Sequence, residues 1–281
     1  MQTHTYLWQN TGTGTGTTTI GATSGIGSNV TGVTENSATS ALTVSGGLTV
    51  NSSGTTLINS SNAKLFTLNG GISGTGNLVI DNNGSLANGI TISATTLNNT
   101  GSITNSGSGT GNELISAVIG ANVTSVAQNS PSLLKLSGVN LYTGFTAIVS
   151  GTIQLGNAAA ISTASDVFDD GVLDINGFSP TINGLSGTGT VDNVAGGGSQ
   201  TVTVGGNNAT SSFSGVIQNT SGSIALTKIG SGTLTLSGAD TYTGGTTIKE
   251  ERLSPTLLQT MHLVQAISHL AIHQEAIMRA S

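Results

Sequence analysis

Apolar residues recur along this chain in short runs, almost all of alternating polarity. Ala41-Leu42-Thr43-Val44, Leu48-Thr49-Val50, Leu65-Phe66-Thr67-Leu68, Leu78-Val79-Ile80 and Ile90-Thr91-Ile92 are early examples. Ile153-Gln154-Leu155, Val172-Leu173-Asp174-Ile175, Val202-Thr203-Val204 and Leu234-Thr235-Leu236 continue the series. Each run is three to five residues long and is bounded by Gly, Asn or Ser. Alternation of this kind predicts strands with Leu, Val and Ile on the buried face and Thr on the other. Before residue 250 no segment carries a 3.6-residue apolar period, and frequent Gly and β-branched residues oppose a helix there.

Two segments repeat. Residues 134–148, from Leu134 to Ile148, align without a gap on residues 234–248, from Leu234 to Ile248, at an offset of 100. Nine of the fifteen positions are identical, including the Leu-Ser-Gly and Tyr-Thr-Gly blocks. Repetition of this kind marks stacked architectures. Many short strands without helices also suit an antiparallel sandwich, and the Asn-Gly pairs at 69–70, 83–84, 88–89, 176–177 and 183–184 suit hairpin turns. A sandwich usually buries large aromatics, and this chain has nine aromatics in all. Narrow coils lined by Leu, Val and Ile account better for that scarcity. The pattern therefore favours an all-β parallel β-helix over 1–249, a solenoid whose coil is itself the connection between parallel strands. At roughly 20 residues per coil and about 4.8 Å per rung, that is about a dozen coils and a rod of about 60 Å.

Residues 226–248, Leu226 to Ile248, resemble the autotransporter-associated β-strand repeat of bacterial passenger domains almost from end to end. Residues 133–155 are similar but looser: Phe145 replaces a Gly and the Lys-x-Gly-x-Gly lead-in is missing. Residues 172–191 resemble the linking coil of the same proteins. The resemblance is clear over about 130–249. It implies a right-handed parallel β-helix, type V export to the cell surface or beyond, and an outer-membrane β-barrel translocator as partner. No stretch of this chain has the strands and aromatic girdles of such a barrel.

Composition narrows the function. Only 6% of residues are charged and the net charge is −6. Four Lys and two Arg offer no cationic cluster, so neither nucleic acid nor an anionic membrane surface is an expected partner. The absence of Cys removes disulfides, thiolate metal sites and Cys nucleophiles. Residues 1–10 lack a basic and an apolar region, so they do not read as a signal peptide, and no apolar run is long enough to span a membrane as a helix.

The tail changes character. All 42 Gly precede residue 250, and 250–281 holds three of the four His, both Arg and a helical pattern. A capping helix suits a solenoid end, whereas the tail's lack of net basic charge weighs against a membrane-surface helix. A frameshift fits better. After Lys249 the repeat calls for Ala-Gly-Thr-Leu, and loss of one base turns GCA-GGA-ACG-CTT into codons for Glu250, Glu251, Arg252 and the start of Leu253. Residues 250–281 are thus expected to be a non-native tail.

Candidate chemistry is sparse. Ile20–Gly27 (Ile-Gly-Ala-Thr-Ser-Gly-Ile-Gly) imitates a dinucleotide-binding loop, but the residues that follow are not helical. Asp166, Asp169, Asp170 and Asp174 form one acidic cluster, expected in a solvated turn, with Asp174 facing outward on a strand because it alternates with Leu173 and Ile175. No His lies between His4 and His262, which leaves no triad, and His269 and His273 lack the Glu of a zinc helix. Tyr142 and Tyr242 sit at equivalent repeat positions and are expected to pack over the turns at Gly144 and Gly244. The chain is expected not to be an enzyme and to carry no catalytic, cofactor-binding or metal-ligating residues. The chain reads as a surface-exposed or secreted structural and interaction module serving adhesion or self-association, directed at host or neighbouring-cell surface molecules. The alternatives are an exported hydrolase on the same scaffold and a fibre component that is not autotransported.

Overall fold

The computed structural model describes residues 5–249; the expected helical tail at 250–281 and its three His lie outside the described residues. Every described element is a β-strand and every strand pairing is parallel. The chain winds through three strand-bearing faces in each circuit. One sheet of nine strands runs from Tyr6–Asn10 to Leu185–Ser186, and its line continues through a bridge between Gly187 and Phe213 into Ser211–Phe213 and Leu234–Leu236. This line has 11 rungs. A second sheet of ten strands runs from Thr18–Ile20 to Val216–Ile217. The third face begins with Leu48–Val50 and Ile72–Gly74, is prolonged by single bridges to Leu97 and Ile119, and closes with a four-stranded sheet from Thr181–Ile182 to Thr246–Ile248.

The architecture is the parallel solenoid that the alternation implied. The coil length is more variable than the expected 20 residues. Val33 pairs with Leu57 and Leu57 with Ile80, so these circuits take 24 and 23 residues, whereas Val167 pairs with Leu185 after only 18. Longer turns between faces absorb the difference while the rungs stay in register. None of the Asn-Gly pairs makes a hairpin. Asn88 and Asn176 instead take left-handed backbone conformations, φ 55° and 46°, at turns leading from one face to the next.

Register stacks like on like. In the second sheet Leu42, Phe66, Ile90, Glu113, Leu134, Ile153, Leu173, Val191 and Ile217 form one continuous column, and Val44, Leu68, Ile92, Ile115, Leu136 and Leu155 form the next. These inward residues are buried, while Thr43, Thr67 and Thr91 between them face out. Each aliphatic side chain removed from water contributes about 1.5–3 kcal/mol, so the column supplies most of the drive to stack.

Rungs approach closely at the repeat's glycine. A Cβ on Gly144 would lie 1.6 Å from the Thr124 carbonyl oxygen, so no other residue fits without moving the backbone. Tyr142 precedes it, but lies inside the column at 0% exposure rather than over the turn. Its hydroxyl hydrogen-bonds to Thr146 (2.7 Å), which bonds to Ser165 on the next rung (2.9 Å). Tyr242 makes the same link to Thr246 at 2.5 Å.

Shortening an inward side chain leaves a void that neighbouring rungs cannot close. Ile103→Ala should cost about 2–5 kcal/mol, while outward Thr104→Ala should change stability by less than about 0.5 kcal/mol. Urea unfolding of the two variants, followed by circular dichroism, measures both.

Candidate functional site

The acidic cluster singled out in the sequence does not converge. Asp166 and Asp170 are exposed on the outer face of the first sheet, whereas Asp169 (0% exposed) and Asp174 (2%) are buried. This corrects the expectation of a solvated turn. Asp174 does alternate with Leu173, but the chain folds back over it: its carboxylate accepts from the N–H groups of Asn176 (2.9 Å) and Val194 (3.1 Å) and from Gln154 Nε2 (2.9 Å). On the next rung Asp192 is likewise held by Asn193, Gln218 and Thr220. These carboxylates are turn-formers with their oxygens occupied. Among the described residues no group of three His, Cys, Asp or Glu is placed to hold a metal ion. The Ile20–Gly27 segment is a strand end and a turn followed by a bridge from Ile26 to Leu48, with no helix to receive a pyrophosphate.

The interior holds a feature that the apolar alternation did not announce. Seven of the nine strands of the first sheet end inward on polar residues, Asn10, Glu35, Asn59, Asn82, Asn105, Gln128 and Asp169, all buried. Most of them receive the N–H two residues on, as Glu35 does from Ser37 (2.7 Å), Asn59 from Ser61 (2.9 Å), Asn82 from Gly84 (3.2 Å) and Asp169 from Gly171 (3.1 Å). The amides then tie rung to rung. Asn10 donates to Glu35 (2.6 Å) and Asn105 to Gln128 (2.8 Å). Apart from Asn105, whose amide donates to Glu113 and Gln128, these side chains satisfy backbone groups at a corner where the ladder must break. The signal was present in the sequence, because each polar residue falls two positions after an inward residue, as in Leu57-Ile58-Asn59 and Val126-Ala127-Gln128.

Glu113 interrupts the apolar column between Ile90 and Leu134. Its Oε2 accepts from Asn105 (2.7 Å) and Ser132 (2.8 Å), and Oε1 has no partner among the described residues. Burial raises its pKa, partly offset by hydrogen bonds from Ser132, Asn82 and Asn105. Burial also pushes Asp169 up to about 7, against N–H groups of Gly171 and Leu173 that favour the anion, with Asp170 adding repulsion. Asp169 Oδ2 is unpartnered among the described residues. Glu35 is raised too, by burial, and lowered by Asn10, the Ser37 N–H and Lys64.

What remains available to solvent is a set of outer faces poor in charge. Thr19, Thr43, Thr67 and Thr91 stand in register on four successive rungs of the second sheet. Near the first coils a polar groove is lined by Thr5, Ser28, Asn29, Asn51, Ser53 and Thr75. These faces offer hydroxyl and amide groups in a periodic array, and they bring together no nucleophile, base and oxyanion donor.

The family described as Passenger-associated-transport-repeat matches residues 133–155 and 226–250. The chain is 33% identical over 202 residues to a protein named Adhesin BmaC autotransporter from Brucella suis biovar 1 (strain 1330). That alignment covers 67% of this chain and 5% of the relative's length. No solved structure matches the chain.

Because the folded state holds Asp169 protonated up to about pH 7 and the unfolded chain releases that proton near 3.8, the unfolded state binds fewer protons across this window. Stability should therefore be highest at the acid end, fall as pH rises from about 4 to 7, and level off above that. Glu35 and Glu113, also raised, act in the same sense. Urea midpoints measured at pH 5 and pH 8 should differ in this direction, and Asp169→Asn should shrink the difference.

Proposed function

This chain is a segment of an autotransporter passenger, and on that premise we propose that it serves as a surface-exposed or secreted adhesion module. The supporting observation is the periodic outer surface of the solenoid: polar, uncharged ladders such as Thr19–Thr43–Thr67–Thr91, repeated at rung spacing over four rungs. Such a face binds through many weak, identically spaced contacts, which suits extended or repetitive surfaces better than one small substrate. The relative's name as an adhesin supports the same reading. The whole protein would carry an outer-membrane translocator in addition to this segment, and its targets would be surface molecules of host or neighbouring cells.

The separation of the carboxylates supports a non-enzymatic role. A glycoside hydrolase needs two carboxyl groups flanking one open cleft. Here Asp169 and Asp174 are enclosed in corners of the solenoid and Asp166 and Asp170 lie on its outside. The tail at 250–281 is best read as the product of a shifted frame, testable by reading the adjoining DNA for further Gly- and Asn-rich coils one frame over.

Beads coated with the purified chain should attach to cultured epithelial cells, or clump with one another, several-fold more than albumin-coated beads. Absence of both behaviours would sink the proposal.

A further inference from the structure

The two repeats share their inside and differ on their outside. At buried positions of the interior copy, Leu134, Leu136, Gly138, Tyr142, Thr146 and Ile148 are matched by Leu234, Leu236, Gly238, Tyr242, Thr246 and Ile248. Asn140 against Asp240 is the one inward change. Lys135 against Thr235 makes the first copy more charged at one outward position, and from residue 139 onward the outward positions diverge the other way, toward apolar side chains. Val139, Leu141, Phe145, Ala147 and Val149 stand where the second repeat carries Ala239, Thr241, Gly245, Thr247 and Lys249. Four of the five are open to solvent: Val139 58%, Leu141 57%, Phe145 54% and Val149 52%.

The next rung enlarges this stripe. Ala147 pairs with Phe168, itself 40% exposed, and Thr146 and Ile148 pair with Val167 and Asp169. By the same register Asp166 lies beside Phe145 and Asp170 beside Val149, both exposed. An apolar centre is thus bordered by two carboxylates, whose side-chain partners among the described residues, Asn183 and Thr188, are neutral. On the preceding rung Ser125, Ala127 and Asn129 carry no charge. The chain has only six Lys and Arg against twelve Asp and Glu, so a second copy is a poor electrostatic match for an acidic border.

We propose that Phe145, Val149 and Phe168, which share the outer side of the first sheet, form a docking surface for another protein, one that presents an apolar segment flanked by Lys or Arg; Val139 and Leu141 lie earlier on the same rung, on the third face beside Ile119. The aromatic pair supplies the desolvated centre, and Asp166 and Asp170 supply orientation and on-rate at the rim. An exposed apolar stripe on an otherwise hydroxyl-rich rod has no role in stacking, because the second repeat stacks with Ala, Thr and Gly at the same places. An anionic lipid surface is disfavoured by the two carboxylates. This inference rests on the chain being a binding module.

The repeat pair supplies a fold-preserving variant: Val139→Ala, Leu141→Thr, Phe145→Gly, Ala147→Thr and Val149→Lys, which installs residues the same scaffold already carries. A random dodecapeptide library would be panned against the full chain. The expected peptides combine aromatic or aliphatic residues with flanking Lys or Arg, bind the exchanged variant at least tenfold more weakly, and lose affinity at high salt. A second variant, Phe145→Ser with Val149→Asn, borrows the preceding rung's residues and should act likewise if the first does not fold. Peptides that bind both forms equally, peptides without cations, or no selected peptides would overturn the proposal. So would stripe-dependent dimers in sedimentation, or stripe-dependent binding to neutral phosphatidylcholine vesicles. Bead adhesion that survives the exchange would overturn this surface and leave the adhesion reading standing; stripe-dependent peptides without bead adhesion would do the reverse.

Discussion

Parallel hydrogen bonding from each rung to the next is the constraint from which the rest of this molecule follows. It fixes each inward side chain directly beneath its counterpart one circuit later. A residue in the column therefore needs a compatible neighbour above and below, and compatibility is most easily met by likeness. The succession Leu42, Phe66, Ile90 and, past Glu113, Leu134, Ile153, Leu173, Val191, Ile217 is that requirement written along the chain. Circuits can differ in length, from 18 residues to more than 20, because only the strand positions must coincide and the turns between faces absorb the remainder.

The same constraint explains the buried polar groups. At a corner the strand ends, its backbone N–H and C=O groups lose their neighbours, and water is excluded. Asn, Gln and Glu side chains at the inward strand ends fill those vacancies, so Asn10, Asn59 and Asn82, which donate to backbone carbonyls of the adjacent rung, act as side-chain continuations of the backbone ladder, and Asn105 ties to Gln128 instead. Glu113 and Asp169 extend this solution to a carboxyl group, at the cost of one oxygen without a partner among the described residues. A neutral acid is far cheaper to enclose than its anion, which is why burial dominates both shifts.

Much of the fold was legible because alternation and repetition are both local signals. The inward phase of Leu48, Leu78 and Ile90 and the lack of helix before 250 read directly from spacing, and the parallel stacking from repetition and the scarcity of aromatics. The fate of individual carboxylates did not. Alternation assigns Asp174 to the outward side of its strand, but whether an outward residue meets water depends on where the following turn goes, and the turns bearing Asn176 and Val194 come back over it. Tyr142 was misplaced for a related reason. A tyrosine next to a glycine turn is equally consistent with lying on that turn or beneath it, and the choice is made by Thr146 and Ser165 on two rungs that only the fold brings together.

The repeat pair separates what the scaffold requires from what it leaves open. Inward positions are held nearly constant between 134–148 and 234–248 because each must fit a column whose members are set by its neighbours. Outward positions carry no such condition, and Thr, Gly, Lys, Phe or Val all keep the rung intact there. A parallel solenoid thus decouples its surface from its stability more completely than a globular domain, in which a surface residue often shares packing with the core beneath it. Binding chemistry can change along the rod one rung at a time, with each change confined to its own 4.8 Å step. In such an architecture, departures from the hydroxyl-rich background, such as Phe145 and Phe168, are the places where recognition is best sought, since stacking does not call for them.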